Sequence, residues 1–365
     1  MKIIFSIASG LGDTLFFAPA FFGLKELYPD AEFTILVPRL FYNRALLEKV
    51  LKVDKIIHLK RLRSFKPKAI FSYFNFLTRL IRDIRKEKYD IFICTVQARL
   101  LDQYFLLMAS GANLKVGPEF WRGKKNPFRF LLNTKITAKK KHICQEHFDI
   151  VRSLKKSEHL PIEPYLDKLN KKLRQHARPS QNTFDFEKVI IILPGSGTQP
   201  YKRWPLKRFL SAIDYLLEKF DYDVIMLGGK MEYDSSLIPD GVNSSAKFHN
   251  IGSSLNINEI IELFTKAKLV LGNDNGLLHL AEFLKIPSIG IYPTNWKYVS
   301  GKYLYNEIVH DVLPAKEQDD LIRYLELNSF RFRSFQKKCN EVVTSISVEA
   351  VIDKIEAQLS NEATY

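Results

Sequence analysis

The sequence contains no apolar run long enough to cross a membrane, and it has very little cysteine. No stretch approaches the roughly 20 apolar residues that a membrane-spanning helix needs, and the N-terminus lacks the basic segment, apolar core and cleavage site of a signal peptide. The three cysteines, Cys94, Cys144 and Cys339, are far apart and show no CxxC or Cys/His ligand spacing. We therefore expect a cytoplasmic protein whose cysteines are reduced and structural.

Two common nucleotide-binding motifs are also absent. Neither the GxGxxG of nicotinamide-binding turns nor the GxxxxGK[ST] of a P-loop occurs. The Asp-x-Asp triplet at 221–223 has a form that binds divalent metal in some sugar-nucleotide enzymes, but it precedes a strand, which favours a turn. The cluster of His142, Cys144, Glu146 and His147 fits no zinc spacing and favours a helix over 146–154. These stretches by themselves therefore support neither a nicotinamide cofactor nor a metal site.

Acidic residues are too few to balance the basic ones. The formal net charge is +15 and the pI is about 9.5. Residues 51–90 hold twelve Lys and Arg against four acids, and residues 115–141 hold nine against Glu119 alone. This excess predicts an anionic partner for the first half of the chain, with a solvated basic face as the alternative interpretation.

Short β-branched or aromatic runs alternate with helical stretches in both halves of the chain. The runs are 2–7, 32–37, 55–59 and 90–96, followed by 188–197, 223–229, 268–274 and 288–293. This alternation predicts α/β architecture with parallel sheets and crossover helices. Helices are expected over 205–219, 256–265 and 276–284, among others.

The polar stretch around Pro179 has few apolar anchors, so it is interpreted as a linker between two domains of ordinary size. The expected organisation is an N-terminal domain over 1–172, a linker over 173–187, a C-terminal domain over 188–345, and a closing helix and tail over 346–365. Ligands of open parallel sheets bind beyond the carboxyl ends of the strands. Two such domains facing each other would enclose a cleft.

The stretch "SGLGD" places Gly10 and Gly12 directly after the first strand, and Asp13 at the start of a helix. The glycines permit a tight turn and close approach by a ligand. Position alone favours Asp13 as the helix N-cap, since Asp is a preferred capping residue. The alternative is a general base, because a helix N-terminus keeps a carboxylate ionised.

The stretch "PGSGTQPYKRWP" (194–205) is a glycine-rich strand exit that contains cations. Its backbone N–H groups, the hydroxyls of Ser196 and Thr198, and the ammonium of Lys202 form a plausible diphosphate site. Gly228 belongs to a second glycine-rich exit. Taken alone, each fits an ordinary surface loop or turn equally well or better.

A third stretch, "GNDNGLLHLAEFLKIPSIGIYPTN" (272–295), ends a strand at Asp274 and begins a helix at Gly276. The backbone N–H groups of Asn275 and Gly276 offer an anion site at a helix N-terminus. His279 lies one turn inside the helix, where a structural histidine is the more common interpretation.

Together these stretches resemble glycosyltransferase family 9, the ADP-heptose:lipopolysaccharide heptosyltransferases. The resemblance is carried, in order along most of the chain, by residues 9–37, 193–205, 224–229 and 269–294. It implies a GT-B fold, in which two Rossmann-like, doubly wound parallel-sheet domains face a central cleft. The first domain would bind the acceptor and the second the nucleotide-sugar donor.

The resemblance also implies roles for individual residues. Asp13 would be the catalytic base, with Gly10 and Gly12 in the acceptor-side turn. The donor would be bound by Ser196, Thr198, Lys202, Gly228, Asp274, Asn275, Gly276, Leu277 and His279. Lys202 would meet phosphate or sugar, Asp274 the heptose hydroxyls, and the last three residues the diphosphate. The implied reaction inverts the anomeric carbon without a metal ion.

The implied function is transfer of heptose from ADP-heptose to a lipopolysaccharide inner-core acceptor by a cytoplasmic protein peripheral to the inner membrane. The basic, aromatic segment 61–82 would meet an anionic membrane surface or, equally, pack its Phe residues in the core. The alternatives are a family member with another nucleotide sugar or glycan acceptor, and a non-catalytic binding protein or scaffold. A nucleic-acid-binding protein ranks last, because no nucleic-acid-binding motif accompanies the charge.

Overall fold

A computed structural model describes most of the chain: residues 1–7, 10–37, 43–60, 66–95, 101–121, 124–137, 142–178, 186, 188–197, 199–229, 232–292, 309–312 and 332–361. Thr198 and residues 61–65, which carry parts of the expected site and basic segment, lie outside these ranges. The chain divides into two compact units, Met1–Leu169 and Asn170–Tyr365. Residues 173–175, at the start of the expected linker, are helical.

The first unit alternates strands and helices, as its sequence pattern predicts. The strands are β1 (Lys2–Ser6), β2 (Glu32–Val37), β3 (Lys55–His58), β4 (Ile91–Cys94), β5 (Leu114–Pro118), β6 (Phe120–Trp121), β7 (Lys124–Lys125) and β8 (Thr134–Ile136). The helices are α1 (Leu11–Leu27), α2 (Asn43–Ala45), which continues as a π-helical segment (Leu46–Leu51), α3 (Pro67–Glu87), α4 (Leu101–Ala109), α5 (Ile143–Lys155) and α6 (Glu163–Gln175), with a 3₁₀ turn (Arg129–Leu131). α6 begins in this unit and ends in the second.

Six strands of the first unit form one parallel sheet in the order β3-β2-β1-β4-β5-β8. The strand order reverses between β1 and β4, which makes the end of β1 a topological switch point. The core on one face is aromatic: the Phe5 ring lies 4.8 Å from that of Phe17, and Phe21 lies 5.3 Å from Phe33. α1 is buried along most of its length because it packs on this sheet and against α5.

The second unit repeats the plan. Its strands are β9 (Val189–Leu193), β10 (Asp223–Leu227), β11 (Phe248–Gly252), β12 (Ala267–Asn273), β13 (Ser288–Ile291) and β14 (Val309–Val312), and its helices are α7 (Leu206–Lys219), α8 (Asp240–Asn243), α9 (Ile257–Thr265), α10 (Gly276–Phe283), α11 (Phe332–Ser345) and α12 (Val348–Asn361). Two 3₁₀ turns cover Pro200–Lys202 and Ser235–Leu237. The predicted helices over 205–219, 256–265 and 276–284 are confirmed within a residue or two.

All six strands of the second sheet are parallel, in the order β11-β10-β9-β12-β13-β14. The switch point of this sheet lies between β9 and β12. A helix also occurs at the end of the chain, where a closing helix is expected. α12 buries Val351, Ile355 and Leu359 in the core beneath the sheet, and the Trp204 indole donates to the Ile346 carbonyl at 2.9 Å.

Two local predictions about turns and clusters have clear outcomes. The residues around His147 form α5, as the helical interpretation predicts. The triplet 221–223 ends in the first residue of β10, where Asp223 pairs with His249 at 2.8 Å. No helix among the described residues is long and apolar enough to span a bilayer.

Candidate functional site

The polar side chains predicted for donor binding converge at the carboxyl edge of the second sheet. β9 and β12 are adjacent in that sheet, so the segments after Leu193 and after Asn273 meet, although about 80 residues separate them in sequence. This edge is the switch point of the unit, where open α/β sheets bind ligands.

Four ionisable side chains form a buried chain of alternating charge there. The Lys202 ammonium donates to Asp274 Oδ2 at 2.6 Å, and His279 Nε2 lies 3.1 Å from Asp274 Oδ1. His279 Nδ1 lies 3.1 Å from Glu282 Oε2, and the Tyr292 hydroxyl donates to Glu282 Oε1 at 3.2 Å. Each of the four charged residues is less than a tenth exposed. Such buried charges persist only when they are paired, as these are.

The protonation states in this chain follow from the pairing. Burial alone lowers the pKa of His279, but the carboxylates of Glu282 and Asp274 outweigh it and raise that pKa to about 9. Burial likewise raises the pKa of Asp274, but Lys202 and His279 outweigh it and hold the pKa well below its usual range. His279 is therefore an imidazolium at neutral pH, and both of its ring nitrogens donate.

Two asparagines fix the backbone around these charges. The buried Asn273 side chain accepts from the backbone N–H of Trp204 at 3.0 Å and donates to the Pro194 carbonyl at 2.7 Å. Asn275 donates to the Gly195 carbonyl at 2.8 Å. These contacts tie the exit of β12 to the loop that follows β9, so the loop that carries Lys202 is anchored at several points.

Asn275 is also the N-cap of α10. Its side-chain oxygen accepts from the N–H groups of Leu277 and Leu278, each at 2.9 Å. Asn is among the best capping residues because it satisfies donors that the first helical turn leaves unpaired. Of the residues expected to surround the diphosphate, Leu277 therefore has a backbone N–H that already meets an intramolecular acceptor.

A carboxylate that the sequence analysis did not select joins the two glycine-rich exits. Glu232 accepts from the Gly197 N–H at 2.7 Å through Oε1 and from the Gly229 N–H at 2.9 Å through Oε2. Gly197 has φ +59°, a left-handed conformation that glycine adopts without strain. A Cβ on Gly195 would lie 2.4 Å from the Glu232 carboxyl carbon, so glycine at this position leaves room for that side chain.

The remaining predicted donor residues have structural contacts of their own. The Ser196 hydroxyl donates to the Gln199 carbonyl at 2.7 Å and accepts from Arg203 Nε at 3.3 Å, which closes the loop on itself. Gly228, directly after β10, donates its N–H to the Gly252 carbonyl at 3.0 Å.

The predicted acceptor-side turn belongs to the first unit, at the exit of β1. Gly10 is the N-cap of α1, and Asp13 is the third residue of the helix, so the interpretation of Asp13 as the N-cap is wrong. The helix begins three residues earlier than that assignment requires: both the N–H and the hydroxyl of Thr14 donate to the Gly10 carbonyl. Gly12 is buried within the first turn.

Asp13 is half-buried and lies in the first helical turn, where the helix dipole favours an ionised carboxylate. A Cβ on Gly10 would lie 3.0 Å from Asp13 Oδ2, so the absence of a side chain on Gly10 leaves space beside this oxygen. The turn therefore presents a carboxylate at the switch point of the first sheet.

The structure thus brings most predicted donor residues together and adds three that sequence reasoning missed. Glu282 carried a signal, because it lies three residues after His279 on one helix face. Glu232 and Tyr292 carried none, since they reach the site through the fold alone. Among the described residues, no group of three His, Cys, Asp or Glu side chains is arranged to hold a metal ion.

Comparison with known proteins gives one matching family and several relatives. The family model described as glycosyltransferase family 9 (heptosyltransferase) matches residues 77–312. The lipooligosaccharide heptosyltransferase 2 of Haemophilus influenzae is 22% identical over 385 residues, which cover 99% of this chain and 100% of that protein. The lipopolysaccharide heptosyltransferase 3 of Escherichia coli is 21% identical, with 77% of this chain and 80% of that protein covered.

Solved structures show the same fold. The E. coli ADP-heptose lps heptosyltransferase II superposes with a TM-score of 0.68 at 16% identity, covering 100% of both chains. The E. coli heptosyltransferase WaaC with ADP-2-deoxy-2-fluoro heptose superposes with a TM-score of 0.66 at 16% identity, covering 98% of this chain and 99% of that one. The predicted α/β architecture of GT-B type is confirmed.

Proposed function

Because the chain belongs to glycosyltransferase family 9, the heptosyltransferases, and is a glycosyltransferase, we propose that it transfers heptose from ADP-heptose to a lipopolysaccharide inner-core acceptor. The matched family and the activities for which its relatives are named support this assignment. We place the reaction at the cytoplasmic face of the inner membrane, where the basic first unit would meet an anionic glycolipid.

The proposed donor site lies at the carboxyl edge of the second sheet. The main support for it is the buried chain of paired charges that runs from the Lys202 side chain to the Glu282 side chain. A buried, fully paired set of charges at a switch point is typical of functional sites, because burial and neighbouring charges hold each group in one protonation state. The Lys202 ammonium would exchange its Asp274 partner for a diphosphate oxygen. Asp274 would then accept hydrogen bonds from sugar hydroxyls.

Asp13 is the proposed base. As the acceptor oxygen forms its bond to the anomeric carbon, the bond from that carbon to the ADP oxygen breaks, and ADP leaves with the electron pair. The acceptor proton passes to the Asp13 carboxylate. The transition state is oxocarbenium-like, with the proton lost late, so the modest basicity of a carboxylate suffices. Attack on the face opposite to ADP inverts the anomeric carbon.

The leaving ADP develops negative charge, and protein groups must stabilise it where no metal ion does so. Lys202 and the N-terminal turn of α10 are the groups proposed for this role. Loss of one such preorganised donor at other oxyanion sites typically costs about 100-fold to 1,000-fold in rate.

Donor binding tests the assignment without an acceptor. ADP, ADP-heptose, UDP-glucose and GDP-mannose are titrated by calorimetry into the wild type, Lys202→Ala and Lys247→Ala, both without and with EDTA. Lys247 is the matched control, because its ion pair with Asp221 is exposed and belongs to the same unit. We expect selective binding of the ADP ligands, weakened about tenfold or more in Lys202→Ala alone.

Other outcomes would revise the proposal in defined ways. Binding of UDP or GDP ligands instead would refute ADP-heptose as donor and leave the family assignment intact. Loss of binding on addition of EDTA would refute the metal-independent mechanism. Binding that is unchanged in Lys202→Ala would move the donor site away from the buried charge chain.

A further inference from the structure

Exposed large apolar side chains are concentrated on three elements of the first unit. Six of the eight found among the described residues lie on α3, α4 or the 3₁₀ turn Arg129–Leu131: Ile70, Phe71, Phe74, Phe105, Met108 and Phe130. A single exposed apolar side chain is ordinary in a folded protein, whereas a group of them marks an interaction surface.

α3 shows the contrast most clearly. Its C-terminal half buries Leu80 and Ile84, and Phe76 packs on the same core with the Lys60 ammonium 5.4 Å from its ring. Its N-terminal half leaves Phe71 69% exposed and Phe74 64% exposed. The interpretation that the Phe residues of this helix face the core therefore holds for Phe76 and is wrong for the other two.

The three elements are held next to one another by a shared core. Leu80 of α3, Leu107 of α4 and Leu132, directly after the 3₁₀ turn, belong to one buried cluster. Arg85 Nε donates to the carbonyl of Ala109, the last residue of α4, at 2.7 Å. Their exposed apolar side chains are therefore carried on a rigid support.

The charge around these side chains is positive. Lys68, Arg79 and Arg82 are exposed on α3, and Lys66 immediately precedes it. Of the two acids in the helix, Glu87 is held between the ammonium groups of Lys2 and Lys55. A helix with aromatic residues on one face and cations beside them is the pattern of proteins that lie on anionic lipid surfaces.

We propose that these six exposed side chains and the flanking cations of α3 form an aromatic-basic surface that binds an anionic lipid bilayer. The apolar side chains enter the headgroup region, and the cations contact lipid phosphates. This inference rests on the proposed function in one respect: it names the surface by which the first unit reaches a membrane-bound acceptor. A second copy of the chain is a poorer occupant, since a two-fold interface would bring the same cations together.

Vesicle co-sedimentation of the whole 365-residue chain tests the surface. Vesicles of phosphatidylcholine alone are compared with vesicles that also contain phosphatidylglycerol, at low and at high salt. We expect binding to the anionic vesicles that weakens with salt. The double variant Phe71→Ser/Phe74→Ser should lower the partition coefficient at least about tenfold. Leu237→Ser is the matched control, because Leu237 is 62% exposed in the second unit.

Several results would overturn the inference: no binding to anionic vesicles, equal binding to neutral ones, or equal loss in the double variant and in Leu237→Ser. A dimer that dissociates in the double variant, seen by sedimentation velocity, would assign the surface to a second copy. Circular dichroism checks that each variant folds. ADP-heptose is also titrated into the wild type in the same buffer. Donor binding without vesicle binding would refute only the membrane surface. Vesicle binding without donor binding would refute only the donor assignment.

Discussion

Replacing Glu282 by Gln should lower the pKa of His279 from well above neutrality into the neutral range. Two carboxylates keep the pKa of His279 near 9 against the opposing effect of burial. A charge at hydrogen-bond distance typically moves a pKa by about 1–3. Since burial is unchanged in Glu282→Gln and one carboxylate remains, the pKa should fall by about 2, to near neutrality.

The same change has a consequence for stability. The folded pKa of His279 exceeds the ordinary 6.5, so the protonated group stabilises the fold below about pH 6.5, and that contribution is lost as the pH rises through 9. The gap corresponds to about 3 kcal/mol in the free energy of unfolding. Most of this pH dependence should disappear in Glu282→Gln.

Carbon-13 NMR of labelled histidine rings measures the titration directly. The chain has eight histidines, and His279→Gln identifies the signal of interest. His147 is an internal reference, because burial lowers its pKa to about 3 and its signal should not move near neutrality. Glu218→Gln, which alters an exposed carboxylate in the same unit, is the matched control. If His279 titrates near 6.5 in the wild type, or if its pKa is the same in Glu282→Gln, the neighbouring carboxylates do not control its protonation.

Three further predictions concern single residues. Lys202→Ala leaves Asp274 buried without its nearest cation and should lower the free energy of unfolding by about 3–5 kcal/mol in urea denaturation. Asp13→Asn should lower kcat at least about 100-fold with little change in KM, measured as product formation from ADP-heptose and acceptor. Gly272→Ala would place a Cβ 2.6 Å from the Cβ of Leu193 in the adjoining strand, so it should cost about 1–3 kcal/mol in thermal or urea unfolding.

Each of these has a control in the chain. Lys247→Ala breaks an exposed ion pair and should change stability little. Asp30→Asn alters an exposed carboxylate of the first unit and should leave kcat unchanged. A Cβ on Gly241 meets nothing within 4 Å, so Gly241→Ala should be tolerated. If a variant and its control have equal effects, the structural explanation given for that variant is wrong.

The regular elements of the fold were predictable because their apolar runs are long. The run 188–197 contains β9, and the stretch 276–284 contains α10. The region from β5 to β8 was not predicted, because strands as short as Phe120–Trp121 are too brief to show a periodicity. Sequence pattern also gives no sign of the π-helical turn at Leu46–Leu51.

The sequence predicts which types of residue form the site, but it does not predict which side chains pair with one another. Lys202 and Asp274 lie 72 positions apart and meet only because β9 and β12 are neighbours. The error over Asp13 has a similar origin. Residue preference identifies a good cap, but the backbone decides where the helix begins, and here α1 begins at Leu11.

The two hydrogen bonds accepted by Glu232 affect how the affinity of an anionic ligand for the carboxyl edge of the second sheet is interpreted. An anion that takes the N–H groups of Gly197 and Gly229 must first displace a carboxylate that is tethered beside them at high effective concentration. Binding at this point is an exchange of one anion for another, so its free energy is the difference between two similar contacts. The displaced carboxylate stays tethered beside the site, so an incoming anion must reach both N–H groups and also tolerate a negative charge nearby.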